Sequence, residues 1–133
     1  MDLHHFFENN TGTGVLSTAS QKGEVNSAMF ARPRVENGLA MFVCLKRKNL
    51  ENLQENPHAY YLFKADGQGY EGVRLTLLLQ EIQEDEALVK KLRRRHVEVR
   101  EKEYVLVFKI LKTLPLVGTD AKEDEAECAA TLP

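Results

Sequence analysis

The sequence contains few of the residues that mark a secreted, metal-binding or hydrolytic protein. Its two cysteines, Cys44 in an apolar run and Cys128, form neither a disulfide framework nor a zinc pattern, and we expect Cys44 to be a small core residue. The four histidines are scattered, and no pair has the i, i+4 spacing of a helical metal site. Because no Gly-x-Ser-x-Gly motif is present either, the sequence offers no hydrolase nucleophile and predicts no metal.

Long apolar runs are also missing. No stretch approaches the roughly twenty apolar residues of a membrane span, and the N-terminal MDLHHFFENN has no basic region followed by a long apolar segment. We therefore expect an unexported, cytoplasmic protein. With 133 residues, 43% of them hydrophobic and 29% charged, the chain can form one core and one domain.

The formal charge of −2 hides an asymmetry along the chain. The segment Thr119–Pro133 carries five acids and one lysine, whereas residues 1–118 carry seventeen cations and fifteen acids, a net charge near +2. The acidic segment has too little apolar surface to offset the entropy of ordering it. We expect a domain at 1–118 and a disordered tail at 119–133.

Short apolar segments separated by glycine and asparagine turns predict a mainly β fold. The first three, GVLSTAS, EVNSAMFARP (Glu24–Pro33) and LAMFVCL, are expected to form a meander, and HAYYLFKA, YEGVRLTLLLQEIQ and EYVLVFKILKTLPL follow. Leu77–Leu79 is apolar on both faces, as in a buried barrel strand. Short helices are predicted at Asp2–Asn9, Asn49–Glu55 and Asp85–Arg95. This pattern indicates a six-stranded antiparallel barrel.

Two basic segments suggest anion binding. Lys90–Arg95 ends a helix that begins with acids, an arrangement that the helix dipole explains without a ligand, and the weak net charge disfavours the alternative of nucleic-acid binding. Lys46, Arg47 and Lys48 instead precede a helix, where unpaired N–H groups already create positive potential. With Asn49 as N-cap, this turn is either an anion site or a solvated loop.

Arg32 and Arg34 flank Pro33 at the predicted end of the second strand. Because proline cannot continue strand pairing, the two guanidinium groups are expected to point out of the barrel rim, either toward a ligand or simply into solvent.

The order and spacing of these segments resemble the FMN-binding split-barrel family, the pyridoxamine-5'-phosphate-oxidase-like proteins, over Leu3–Gly118. The most specific pieces are NLQENPHA, Asn52–Ala59, placed between the third and fourth predicted strands, and YEGVRL, Tyr70–Leu75.

The resemblance implies a homodimer with two FMN molecules between the subunits. The phosphate would be held after the third predicted strand, while the second strand would run along the isoalloxazine edge. Relatives place the phosphate-binding lysine at the position of Asn49 or of Lys48, which leaves the register open by one residue. The implied cofactor-binding residues are Ala28, Met29, Phe30, Arg32, Lys46, Arg47, Lys48 and Asn49.

The sequence departs from true pyridoxamine-5'-phosphate oxidases, which have arginine at the position of Ala28 and a C-terminal segment that binds substrate. We therefore do not expect that activity. The resemblance implies an FMN-binding oxidoreductase or redox partner with unknown substrate. The alternative is a non-catalytic binding or sensor module that holds haem, a deazaflavin or no cofactor. No side chain stands out as a catalytic acid or base.

Overall fold

The computed structural model describes residues 1–94 and 101–118, which contain three helices and seven strands. Arg95, His96 and the segment 119–133, with Cys128, lie outside the described residues, so the expectations for them remain predictions. The helices are α1 Leu3–Asn9, α2 Lys48–Glu55 and α3 Glu86–Leu92. The strands are β1 Gly12–Ala19, β2 Val25–Met29, β3 Arg34–Glu36, β4 Leu39–Leu45, β5 His58–Ala65, β6 Gly72–Gln83 and β7 Glu103–Pro115.

The strands form one antiparallel sheet with the order β2-β1-β5-β6-β7-β4-β3. β1 and β2 make the predicted hairpin. The predicted meander is wrong at its second step, because β4 pairs with β7, from Leu39 opposite Lys109 to Leu45 opposite Glu103, and not with β2. The two edges of the sheet are therefore β2 and β3.

The strand predicted at Glu24–Pro33 is shorter in the structure, and a strand that was not predicted follows it. β2 ends at Met29, and after a short crossover the chain forms β3, which pairs with β4. Pro33 has no N–H to donate to a neighbouring strand, which favours a break in the ladder here. The additional strand β3 gives seven strands where six were predicted.

Inward-facing residues from both halves of the sheet share one core, which means that the sheet curves around it. Leu16 from β1 and Val35 from β3 belong to the same buried cluster as Tyr61, Phe63 and residues of β6 and β7. The helices add to it as predicted: Phe7 of α1 and the α2 residues Leu50 and Leu53 are buried. Cys44 is also a buried core residue, as expected.

α3 covers the outer face of β4 and β7. Val89 and Leu92 pack against Val105 and Val107, so the part of β7 from Val105 to Phe108 is buried on both faces. The helix is shorter than the predicted Asp85–Arg95. Asp85 caps its N-terminus by accepting from Ala87 N, with the expected acid in the first turn and lysines in the last. None of the helices within residues 1–94 and 101–118 is long and apolar enough to cross a membrane.

A cluster of arginines around Glu8 fastens α1 to the crossover between β2 and β3. Arg34 donates to both carboxylate oxygens of Glu8 at 2.9 Å, and Arg94 donates to one of them at 2.6 Å. Arg94 also donates to the main-chain carbonyls of Arg32 and Pro33, at 3.1 and 2.6 Å. These contacts join the end of α3 to the same cluster.

The expectation that Arg32 and Arg34 point out of the barrel rim is wrong. Both are half-buried, and Arg32 donates to the carbonyl of Asn10 at 2.7 Å. Their positive charge is directed inward because Glu8 and the carbonyl at the end of α1 offer acceptors there.

Glu8→Gln tests this cluster through pH. Hydrogen bonds from Arg94 and then Arg34, opposed by burial, lower the pKa of Glu8 from 4.5 to about 2. A carboxyl with a lowered folded-state pKa stabilises the protein above its unfolded pKa and loses that contribution as pH falls toward about 2. Urea unfolding should therefore show a difference between wild type and Glu8→Gln that is full at about pH 7 and smaller at about pH 3.

Glu36→Gln, at an exposed position on β3, is the matched control and should change the free energy of unfolding little at either pH. A Glu8→Gln effect of equal size at both pH values would contradict the ionic role of Glu8.

Candidate functional site

A cleft of about 370 Å³ opens between the β2 edge and the end of β4, within the range of about 300–1,000 Å³ usual for ligand pockets. Its lining comes from three parts of the chain that the fold brings together: β2 with the residues after it, the end of β4 with the following turn and α2, and the start of β7. The lining residues are Asn26, Ala28, Met29, Phe30, Ala31, Val43, Cys44, Leu45, Arg47, Asn49 and Glu103.

The β2 side of the cleft is a sheet edge, so that within residues 1–94 and 101–118 some of its backbone N–H and C=O groups have no partner strand. The chain is fixed where β2 ends. Phe30 N donates to Gly14 O at 2.9 Å, and the Tyr61 hydroxyl donates to Phe30 O at 3.0 Å. A Cβ on Gly14 would lie 1.9 Å from that hydroxyl, so glycine is needed for this close approach. The edge is thereby held in a defined position.

The basic turn, residues 46–48, contributes Arg47 to the lining of the cleft. α2 begins at Lys48, and its N-cap is Arg47, whose side chain makes no capping hydrogen bond. The prediction of Asn49 as N-cap is therefore wrong. Lys46 and Lys48 are exposed, and no described residue forms an ion pair or side-chain hydrogen bond with either. Helical N–H groups and uncompensated cations thus occupy one surface.

Asn49 lies inside the helix because its amide belongs to a buried polar network. Its Oδ1 accepts from the Thr18 hydroxyl at 2.7 Å and from Asn26 Nδ2 at 3.0 Å, and its Nδ2 donates to Leu16 O at 3.1 Å. Asn52 Nδ2 donates to the Thr18 hydroxyl at 3.1 Å. The network fixes the start of α2 against β1 and the cleft-lining Asn26 of β2.

Two acids face the basic turn. Arg47 forms a bidentate pair with Glu101, at 2.8 Å for both hydrogen bonds, and Glu103, largely buried at the cleft, pairs with Arg93. These four charges cancel. Lys46 and Lys48 are therefore the two cations of the basic turn that form no ion pair with any described residue.

The described residues that line the cleft include no activated nucleophile. Burial, with a smaller contribution from the negative charge of Glu103, raises the pKa of the Cys44 thiol to about 12. A thiol with such a pKa stays protonated near neutral pH, and the thiolate is the nucleophilic form. Cys44 therefore lines the cleft as a packing residue and not as a nucleophile.

The structure brings together most of the predicted site residues. Ala28, Met29, Phe30, Arg47 and Asn49 line the cleft. Lys46 and Lys48 flank Arg47 in the basic turn, whereas Arg32 belongs to the cluster around Glu8 and is not among the lining residues.

Sequence reasoning missed the acids of the site. Glu103 reaches the cleft because β7 pairs with β4 and places it opposite Leu45. No short stretch of sequence indicates that pairing, because about sixty residues separate Leu45 from Glu103 along the chain. Asn26 could have been found, because it alternates with Ala28 on the strand already assigned to the site.

No protein-family model matches the chain, and no curated protein matches it at a significant level. Several solved structures share the fold. An FMN-binding protein from Syntrophomonas wolfei subsp. wolfei has a TM-score of 0.71 and 20% identity, over 86% of this chain and 83% of its own. An F420 reductase has a TM-score of 0.69 and 16% identity, over 85% and 97%.

A third similar structure, from Lactobacillus delbrueckii, is provisionally assigned as a pyridoxamine 5'-phosphate oxidase. It has a TM-score of 0.65 and 14% identity, over 86% of this chain and 92% of its own. These similarities, with the antiparallel topology, define a split β-barrel. The chain therefore shares the split-barrel fold of these structures, and the resemblance predicted from sequence is confirmed at the level of the fold.

Thr18→Val tests the buried network. It removes the hydroxyl that links Asn52 to Asn49 while nearly conserving volume, and it leaves a buried donor unpaired. We expect a loss of about 1–3 kcal/mol in the free energy of unfolding, measured by urea denaturation.

Ser27→Ala is the control, because it removes an exposed hydroxyl pair with Ser17, 2.7 Å long, and should change stability by less than about 0.5 kcal/mol. Equal effects of the two substitutions would show that the buried network does not position α2.

Proposed function

We propose that the cleft binds FMN, with the isoalloxazine ring against the β2 edge and the phosphate at the basic turn, and that the protein is a flavoprotein with a redox role. The observation that carries the proposal is the pair of exposed lysines, Lys46 and Lys48, which have no ion-pair partner among the described residues and flank Arg47 in the lining of a mostly apolar cleft. A phosphate monoester carries a charge of about −1.5 to −2 at neutral pH, which matches two cations.

The residues on the β2 side of the cleft are suited to the isoalloxazine ring. Ala28, Met29 and Phe30 supply apolar surface, and β2, as an edge strand among the described residues, leaves outward-facing main-chain groups without a partner strand. A flavin ring needs both. FMN, when bound, supplies two-electron transfer chemistry. The protein's own residues would orient it and shield it, because the described cleft contains no evident acid–base pair and its thiol is protonated.

A homodimer is part of the proposal. The outer face of β2, β1 and β5 presents apolar side chains, with Val25 and Met29 72% and 69% exposed and Leu62 39% exposed. Val15 lies between Met29 and Leu62 in the register, so these three form one row across the sheet. A second copy covering this row would also enclose the cleft, since Met29 belongs to both surfaces.

A deazaflavin is the second candidate ligand, because one structure with this fold is an F420 reductase. A deazaflavin cofactor would use the same apolar edge and the same anion site. The two ligands are therefore compared directly in binding assays.

Titration of FMN into the purified protein, followed by flavin fluorescence, tests the function. We expect saturable quenching of flavin fluorescence with about one FMN per chain, because the residues that line this cleft all come from one chain. Saturable binding of F420 alone would replace FMN by the second candidate. A Soret band in the purified protein, or no binding of either ligand, would contradict the proposal.

Lys48→Glu should abolish FMN retention through purification with little loss of dimer. It places a like charge beside the phosphate, and such juxtapositions weaken binding by at least about tenfold. The measurement is the flavin absorbance per chain after gel filtration.

Lys91→Glu provides the same charge reversal at an exposed position on α3 and should leave FMN binding unchanged. Unchanged FMN binding in Lys48→Glu would remove the basic turn from the site.

Leu62→Glu should dissociate the dimer, because it buries a charge in the proposed apolar interface. Sedimentation equilibrium should show a dimer dissociation constant raised by at least about tenfold. Tyr70→Glu, at a 76% exposed position in the β5–β6 turn, is the control. A wild-type monomer, or a dimer that tolerates Leu62→Glu, would rule out this interface.

A further inference from the structure

The bidentate pair between Arg47 and Glu101 occupies the group best suited to hold a phosphate at the cleft. Arg47 is the one cation of the basic turn that lines the cleft, and both its terminal nitrogens donate to Glu101, each at 2.8 Å. A planar guanidinium binds phosphate and carboxylate through the same fork of parallel N–H groups. Ligand and Glu101 therefore compete for one set of donors.

We propose that Glu101 is a built-in competitor for the anion site, displaced from Arg47 when a phosphate-bearing ligand binds, and that it determines the preference of the cleft for phosphorylated ligands. The inference rests on the proposed function, since it assigns a further residue to the same site.

The surroundings of the pair favour such an exchange. The side chains of Arg47 and Glu101 are 60% and 58% exposed, and exposed ion pairs contribute little to stability. After displacement, the Glu101 carboxylate would remain hydrated, because its side chain is already largely exposed to solvent. Arg47 would meanwhile remain charged and close to Lys46 and Lys48, which attract a dianion more strongly than a single carboxylate.

The competition also explains how the site would discriminate among ligands. A ligand without a phosphate leaves the Arg47–Glu101 pair intact and gains only the contacts of its ring. A ligand with a singly charged carboxylate exchanges one carboxylate for another. A dianionic phosphate can use Arg47 and the two lysines together, so only this class gains substantially from displacing Glu101.

The test measures dissociation constants of riboflavin and FMN, which differ by the phosphate, for wild type, Glu101→Gln, Arg47→Gln and the double variant. We expect Glu101→Gln to strengthen FMN binding by about threefold or more and to leave riboflavin binding unchanged. In the Arg47→Gln background, Glu101→Gln should have no such effect, because the pair no longer exists. Thermal unfolding of each variant confirms that it is folded.

Glu51→Gln is the matched control. Glu51 is an exposed acid in the first turn of α2, and its N–H bonds to the carbonyl of Arg47, but its side chain does not pair with Arg47. An equal gain in FMN affinity from Glu51→Gln, or a gain from Glu101→Gln that persists in the Arg47→Gln background, would overturn the inference in favour of a general charge effect.

The two proposals fail differently. Riboflavin and FMN that both bind, with a ratio of dissociation constants unchanged by Glu101→Gln, would overturn the role of Glu101 and leave the flavin site standing. No binding of either flavin to any variant would overturn the proposed function and this inference together.

Discussion

The break in the sheet after Met29 is the constraint on which the site depends. Pro33 cannot donate to a ladder, and the chain between β2 and β3 crosses to the other edge of the sheet. β2 is consequently an unpaired edge facing the end of β4, and the cleft lies between them. The Glu8 cluster holds this crossover in place through the carbonyls of Arg32 and Pro33.

Two sets of hydrogen bonds fix the positions of the β2 side of the site and of the start of α2. Phe30 is held from both sides by Gly14 and the Tyr61 hydroxyl, and the start of α2 is held by the amide and hydroxyl network around Thr18. Both sets originate in β1 and its neighbour β5. A ligand that spans from the β2 edge to the basic turn would therefore meet groups whose separation is set by the sheet and not by loops, which lowers the cost of ordering on binding.

Much of this arrangement could be predicted from sequence where the signal is local. The alternation along β1 and β5, the short α2 with Leu50 and Leu53 inward, and the three cations before it are all visible in short windows. Their order carried the resemblance to the split-barrel family, and that resemblance identified the β2 side of the cleft.

The features of the site that could not be predicted from sequence depend on contacts between distant segments of the chain. Asn49 reads as an N-cap in isolation, but hydrogen bonds to β1 and β2 place it within the helix, so tertiary contacts outweigh the local preference. The sequence predicts an exposed Arg32, whereas in the structure its side chain donates to a carbonyl at the end of α1. Glu101 and Glu103 reach the basic turn only through the β4–β7 register, which no short window reveals.

The most direct test of the central claim is a crystal structure of the protein grown with FMN. We expect electron density for the isoalloxazine ring along Ala28–Phe30 and for the phosphate beside Arg47, in the cleft between β2 and β4. FMN bound at another surface, with this cleft occupied only by solvent, would contradict it.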